Sequence, residues 1–160
     1  VIRASSLSKN FAMSGWRFGY AIMHEGLLAR VEALQHALLV CPSTLGQWAA
    51  IYAFDHPELI KPYQEIIRNN LELSCSILDP LVKKGIVTYT RPAGGIYLLI
   101  DVKTDDSWAL SMNIIDSVGV ALVPGSVFGQ SSATCVRLCL ARETQLLHDA
   151  LNRLIIYWQK

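Results

Sequence analysis

The chain has 160 residues, of which 52% are hydrophobic and 17% charged, and its formal net charge is +1. That length suits one ordinary domain or parts of two, and the apolar share is above that of typical soluble domains. A charge so near zero offers no electrostatic grip for nucleic acid or an anionic membrane, and no apolar run approaches the length of a membrane span.

In chain order, Val1 to Ala4 reads as a strand and Arg17 to Met23 as a second one around Gly19. Residues 26 to 39 carry Leu27, Leu28, Val31, Leu34, Leu38 and Leu39 at helical spacing. Pro42 stops that helix, and Ser43 or Thr44 can cap the next, which runs to about Phe54 through Trp48, Ala49, Ile51 and Tyr52. Asp55-His56-Pro57 signals another helix start. A long amphipathic stretch follows from Glu58 to about Lys84, which Pro80 is expected to kink or break.

After Gly85 the pattern changes to short strands, Ile86 to Thr90 and Gly95 to Val102, with Pro92-Ala93-Gly94-Gly95 as the turn between them. Residues 106 to 118 read as a helix and Val120 to Val123 as a strand. A loop over Pro124 to Gly129 leads to a further strand, Cys135 to Ala141. From Glu143, the residues Leu146, Leu147, Ala150, Leu151, Leu154, Ile155 and Trp158 mark a final amphipathic helix. The mixed order argues for an α/β or α+β layered architecture. Cys41, Cys75, Cys135 and Cys139 have no C-x-x-C spacing and read as buried free thiols of a reducing cytosol. The four histidines are scattered and give no metal-ligand spacing, so no metal is expected.

The chemistry-bearing segment is Ser5-Ser6-Leu7-Ser8-Lys9-Asn10-Phe11-Ala12-Met13-Ser14-Gly15-Trp16-Arg17-Phe18-Gly19-Tyr20. A lysine amine can form a Schiff base with a carbonyl compound. Arginine grips a phosphate bidentately, and a serine hydroxyl adds another bond. Glycines beside the arginine allow a tight turn and a close approach of ligand. Taken singly a lysine or arginine simply faces water; taken together these residues read as a carbonyl-binding lysine with a phosphate clamp. A second cation, Arg137, stands in the apolar run Cys135-Val136-Arg137-Leu138-Cys139-Leu140-Ala141. A buried charge needs a partner, so Arg137 either pairs with an acid such as Asp101 or meets an external anion.

S-x-S-K-x-F followed by G-x-R-x-G-Y resembles the lysine segment of the class I/II aminotransferases of fold type I, which use pyridoxal 5′-phosphate. The resemblance runs over the whole chain. It implies that Lys9 bonds to the cofactor and acts as the catalytic acid/base, and that Ser6 and Arg17 hold the cofactor phosphate. Val123-Pro124-Gly125-x-x-Phe128-Gly129 and the arginine strand resemble the family's C-terminal signature, which makes Arg137 the residue that binds the substrate α-carboxylate. The implied fold is α/β, with residues 1–55 as the C-terminal part of the large cofactor-binding domain. Residues 56–160 are then the small α+β domain with its connecting helix.

The implied function is transfer of an amino group between an amino acid and a 2-oxo acid, in a cytoplasmic homodimer with no nucleic-acid or membrane partner. Family members are more than twice this length, so the chain reads as a C-terminal portion, inactive alone. The same fold carries carbon–sulfur lyases, cyclopropane-forming synthases and decarboxylases. An aminotransferase-like effector domain of a transcriptional regulator is the alternative from a different class. Tyr97 and Trp16 read as core or interface aromatics, and Glu65, Arg68 and Glu72 as a solvated helix face with charge pairs along it.

Overall fold

The structure, a computed structural model, describes residues 1–159. The chain divides into two compact units, Val1–Gln64 and Glu65–Lys160.

In the first unit, β1 (Arg3–Ser6) pairs antiparallel with β2 (Gly19–Ile22), with Arg3 opposite Ile22 and Ser6 opposite Gly19. The first strand thus starts later than the apolar run suggests and extends into the serine cluster, because pairing with β2 and not hydrophobicity sets its ends. Between the strands lie a single helical turn, α1 (Leu7–Asn10), and a 3-10 turn, Ser14–Trp16. One turn is too short to show periodicity in a sequence. It is nonetheless anchored, since Leu7 is buried with Met13 and Ala50 and is flanked by Phe11, Phe18, Ala49 and Ala53. A 3-10 turn, Glu25–Leu27, leads into α2 (Leu28–Leu39), and α3 (Thr44–Asp55) follows. Ser43 caps α3 by accepting a hydrogen bond from the Gly46 N–H at 3.4 Å. Helix α2 buries none of its residues despite its helical spacing of leucines, and Cys41 beyond it is exposed rather than buried.

Asp55-His56-Pro57 opens a 3-10 turn, Pro57–Ile60, before α4 (Lys61–Lys83). Pro80 lies inside α4 without breaking it. So close to the helix end a proline removes a single hydrogen bond, and the fully buried Leu78 and Leu81 hold that turn on the core. The helix ends in a Schellman motif. Gly85, at φ +70°, donates its N–H to the Val82 carbonyl (2.9 Å), and Ile86 donates to Leu81 (3.0 Å).

The second unit holds a four-stranded sheet of β3 (Thr88–Tyr89), β4 (Tyr97–Asp101), β5 (Val123–Pro124) and β6 (Cys135–Cys139). Its order is β3-β4-β6-β5 and every pair is antiparallel. Edge strand β3 is shorter than the expected Ile86 to Thr90, and β5 shares only Val123 with the expected Val120 to Val123 and takes in Pro124, because pairing with β6 and not the apolar run sets its bounds. Leu98, Ile100, Val136 and Leu138 point to one face. There they meet Leu78 and Leu81 of α4, Ile114 of α5 (Ser107–Val118), and Leu147, Leu151 and Leu154 of α6 (Thr144–Trp158). Burying each such side chain contributes about 1.5–3 kcal/mol. Asn70, fully buried on α4, donates to the carbonyls of Leu140 and Arg142, both at 2.8 Å, and ties that helix to the end of β6. Strand alternation therefore leaves Tyr97, Leu99, Arg137 and Cys139 on the sheet face opposite the helices. Cys139 is half-buried there.

Candidate active site

Ser6, Lys9 and Arg17 belong to one locally folded segment of the first unit. The β1–β2 ladder is continued by the Leu7 N–H, which donates to the Phe18 carbonyl at 3.1 Å. This brings the end of β1, with Ser6, beside the residue that follows Arg17. Gly19 is required for the approach, because a Cβ there would stand 2.7 Å from the Ser5 carbonyl oxygen. The Leu7 carbonyl accepts from the N–H groups of Phe11 (3.0 Å) and Met13 (3.3 Å), folding the chain back over the turn that exposes Lys9. Ser6 caps that turn, its Oγ accepting the Ser8 N–H at 3.1 Å, so its own hydroxyl proton remains to be donated.

Arg17 has left-handed backbone (φ 53°, ψ 47°), a conformation that costs a non-glycine residue about 1–2 kcal/mol. Such strain concentrates at ligand-binding positions. Its guanidinium is oriented by a hydrogen bond donated to the Ser14 carbonyl at 2.8 Å, and its other N–H groups are left for a ligand. No Asp or Glu occurs among residues 1 to 24, and among the described residues neither Lys9 nor Arg17 enters an ion pair. A hydroxyl donor, a constrained guanidinium and an accessible amine, with no competing carboxylate nearby in the chain, fit a phosphorylated carbonyl compound.

Arg137 lies in the second unit, at the centre of β6, opposite Leu99 on one side and Val123 on the other. Its guanidinium carbon sits 4.0 Å from the centroid of the Tyr97 ring and 4.6 Å from that of Phe128. The expected ion pair with Asp101 is not formed. Asp101 Oδ1 instead accepts the Lys103 N–H at 2.9 Å, and among the described residues no carboxylate lies within 4.0 Å of Arg137. Its Nε is buried and has no hydrogen-bond acceptor. A buried donor left unsatisfied is costly, and no acceptor among the described residues offsets that cost for Arg137 Nε.

Tyr97, expected as a core or interface aromatic, and Phe128, expected only as part of the loop before the arginine strand, are the rings that lie against Arg137. Tyr97 is a same-face diagonal neighbour of Arg137 across the β4–β6 register, a relation visible only once the register is known. A second correction concerns α4, where Glu72 pairs with Arg91 beyond the helix rather than with Arg68 along it. Among the described residues, no group of three or more His, Cys, Asp or Glu side chains is placed to hold a metal.

Residues 1–154 match the family model of aminotransferase class I and II. The chain is similar to the aspartate aminotransferase of Thermotoga maritima, 31% identical over 96% of this chain and 38% of that protein. It is likewise similar to the valine–pyruvate aminotransferase of Mycobacterium tuberculosis, 31% identical over 96% of this chain and 40% of that one. A crystal structure of an aminotransferase from Mycobacterium tuberculosis superposes with a TM-score of 0.84 at 30% identity, covering 99% of this chain and 41% of the other. The chain thus spans about two-fifths of the length of the curated relatives it matches.

Proposed function

We propose, since this chain belongs to the class I and II aminotransferases, that it carries the catalytic lysine, the phosphate clamp and the carboxylate-binding arginine of an enzyme that transfers an amino group between an amino acid and a 2-oxo acid. The family works with pyridoxal 5′-phosphate. When bound, that cofactor supplies an electron sink conjugated to the substrate's Cα. The Ser6 hydroxyl and the Arg17 guanidinium would hold its phosphate, and Lys9 Nζ would hold its aldehyde carbon covalently.

Lys9, its amine freed when the substrate's amine takes its place on the cofactor, would then serve as acid and base, moving the proton of the substrate's Cα–H. Arg137 receives the substrate carboxylate in a bidentate pair and fixes the rotation of the Cα–H bond relative to the cofactor ring. Tyr97 and Phe128 keep the guanidinium in place without neutralising it, because a ring face attracts a cation but carries no net charge. The two relatives are named for aspartate and for valine with pyruvate, so their names do not narrow the amino acid used here.

We further read residues 1–55 as the end of the large cofactor domain and 56–160 as the small domain with its connecting helix. The assembly proposed is a cytoplasmic homodimer. Four free cysteines suit a reducing compartment, and among the described residues no helix is long and apolar enough to cross a membrane. The extensive exposed apolar surface of the first unit supports a protein partner.

The observation that carries the reading is the Ser6-to-Arg17 segment. Its arginine is strained and oriented, and residues 1 to 24 contain no acid to pair with it. Borohydride reduction of the cofactor-loaded protein, followed by peptide mapping, tests it. The pyridoxyl label is expected on Lys9, and a label on Lys83 or Lys84 instead would remove the assignment.

A further inference from the structure

Resting on the reading of Arg137 as the carboxylate-binding group, we propose that Ser107 is a positioning residue for that arginine, acting through the 3-10 turn Gly125–Phe128. Ser107 opens α5 and is only 1% exposed. The helix does not need its hydroxyl as a cap, because Asp106 Oδ1 already accepts the N–H groups of Trp108 (2.9 Å) and Ala109 (3.0 Å). The Ser107 hydroxyl turns instead to the loop. It accepts the backbone N–H of Ser126 at 3.1 Å and donates to Ser126 Oγ at 3.1 Å.

The residue before Ser126 is equally constrained. A Cβ on Gly125 would lie 2.0 Å from the Ser132 carbonyl oxygen and 2.6 Å from that of Cys135, so the backbone passes hard against the start of β6. Beyond Ser126 the turn is closed by the Gly129 N–H donating to the Ser126 carbonyl at 3.2 Å. Val127 and Phe128 themselves are about half exposed, at 53% and 48%. The Phe128 ring, 4.6 Å from the guanidinium carbon, therefore takes its place from the two pinned residues ahead of it. One of those two pins is a side chain, and that side chain is Ser107.

Removing the hydroxyl leaves the Ser126 N–H short of its acceptor and frees the turn to shift. The guanidinium then loses one of its two aromatic neighbours and samples more orientations. Carboxylate binding weakens, while proton transfer by Lys9 is unaffected once substrate is bound.

The test uses the cofactor-loaded enzyme, with propionate as a non-reacting carboxylate probe. Four variants are compared: Ser107→Ala, Phe128→Leu, the double variant, and Arg137→Ala. Ser107→Ala is expected to raise the propionate dissociation constant about threefold to tenfold, the worth of one hydrogen bond. It should also raise KM for whichever amino acid turns over fastest, with kcat within about twofold. Phe128→Leu should raise the propionate constant by a similar factor, and the double variant should be no worse than the weaker single, because both changes release the same ring.

Multiplying effects in the double variant, or an unchanged propionate constant in Phe128→Leu, would overturn the proposal. If Ser107→Ala does not fold, Ser107→Cys, which fills the space but is a poor acceptor for the Ser126 N–H, is measured in its place, and an unchanged constant there overturns it too. Arg137→Ala separates the two readings. Propionate binding that survives its loss defeats the carboxylate assignment itself, whereas binding lost in Arg137→Ala but intact in Ser107→Ala defeats only the positioning role.

Discussion

Replacing Arg137 by alanine in the cofactor-loaded enzyme isolates the substrate half of the proposed chemistry. The side chain makes no ion pair within the described chain, so its removal strands no buried carboxylate. The folding cost is confined to two ring contacts, at 4.0 and 4.6 Å, each worth about 0.5–1 kcal/mol. The unsatisfied Nε is also removed, which offsets part of that loss. Unfolding free energy should thus fall by no more than about 2 kcal/mol. Substrate binding loses a charge-assisted bidentate pair, about 3 kcal/mol, which is about a hundredfold in kcat/KM. Lysine at the same position keeps the charge but lacks the planar fork, so rescue should be poor. Steady-state kinetics, cofactor absorbance and urea unfolding measured on the same preparations separate the two effects. A variant that keeps its activity, or that fails to fold, would refute the reasoning, the second outcome because it would make Arg137 a structural member of the core.

Gly85→Ala should destabilise the second unit by about 1 kcal/mol, measured by urea unfolding. Nothing lies within 4 Å of the added Cβ, and the cost is that of the left-handed φ of +70° alone. Tyr89 donates to Asp79 Oδ1 at 2.5 Å; burial, and then that hydrogen bond, hold its hydroxyl well above the usual tyrosine value of 10.0. Below pH 10 both folded and unfolded states keep this proton. Above it the unfolded chain loses the proton first, so stability falls as pH rises, and Tyr89→Phe should flatten that alkaline fall in a series of unfolding curves. The 160 residues expressed alone should not transaminate, since no carboxylate precedes Glu25 to keep a cofactor ring nitrogen protonated beside Lys9; 2-oxo acid formation by the purified chain would contradict this.

The features that could be read from residue order were those with long periods or fixed offsets. Helix α6 shows its buried stripe of Leu147, Leu151 and Leu154 directly as spacing, and Ser43, Pro42 and Gly85 mark their boundaries through local backbone chemistry. The Lys9 and Arg17 segment was legible as a pattern, but its conformation was not. A one-turn helix and a left-handed arginine depend on the Leu7–Phe18 bond and on the close approach of Gly19 to Ser5. Arg137 was conspicuous as a charge in an apolar run, yet its ring neighbours come from residues 97 and 128. Only strand register and a pinned turn bring those together with it. Pro80 misled because a proline's effect depends on how many helical bonds follow it.

The two units differ in how well they satisfy themselves. In the second, α4, α5 and α6 all contribute to one core against the sheet, and that core includes fully buried residues from every helix. In the first, α2 buries nothing, while α3 buries only Gly46 and Ala50 and leaves Leu45, Trp48 and Tyr52 more than half exposed. Isolated helices of twelve residues are marginal in water, and α2 buries no residue in this unit, whereas α3 is held through Ala50 on Leu7 and through Phe54 on the Phe11 and Tyr20 rings. Exposed apolar surface on that scale is what contact faces look like before they are covered. On the proposed reading of Lys9 and Arg17 as cofactor ligands, a protein surface packed against α2 would add to the rigidity that the Leu7–Phe18 bond and the Leu7, Met13 and Ala50 cluster already give their segment. The arginine unit already holds Arg137 between two rings with its own strands and turn. On this argument, loss of cofactor binding should precede loss of carboxylate recognition when such packing is weakened.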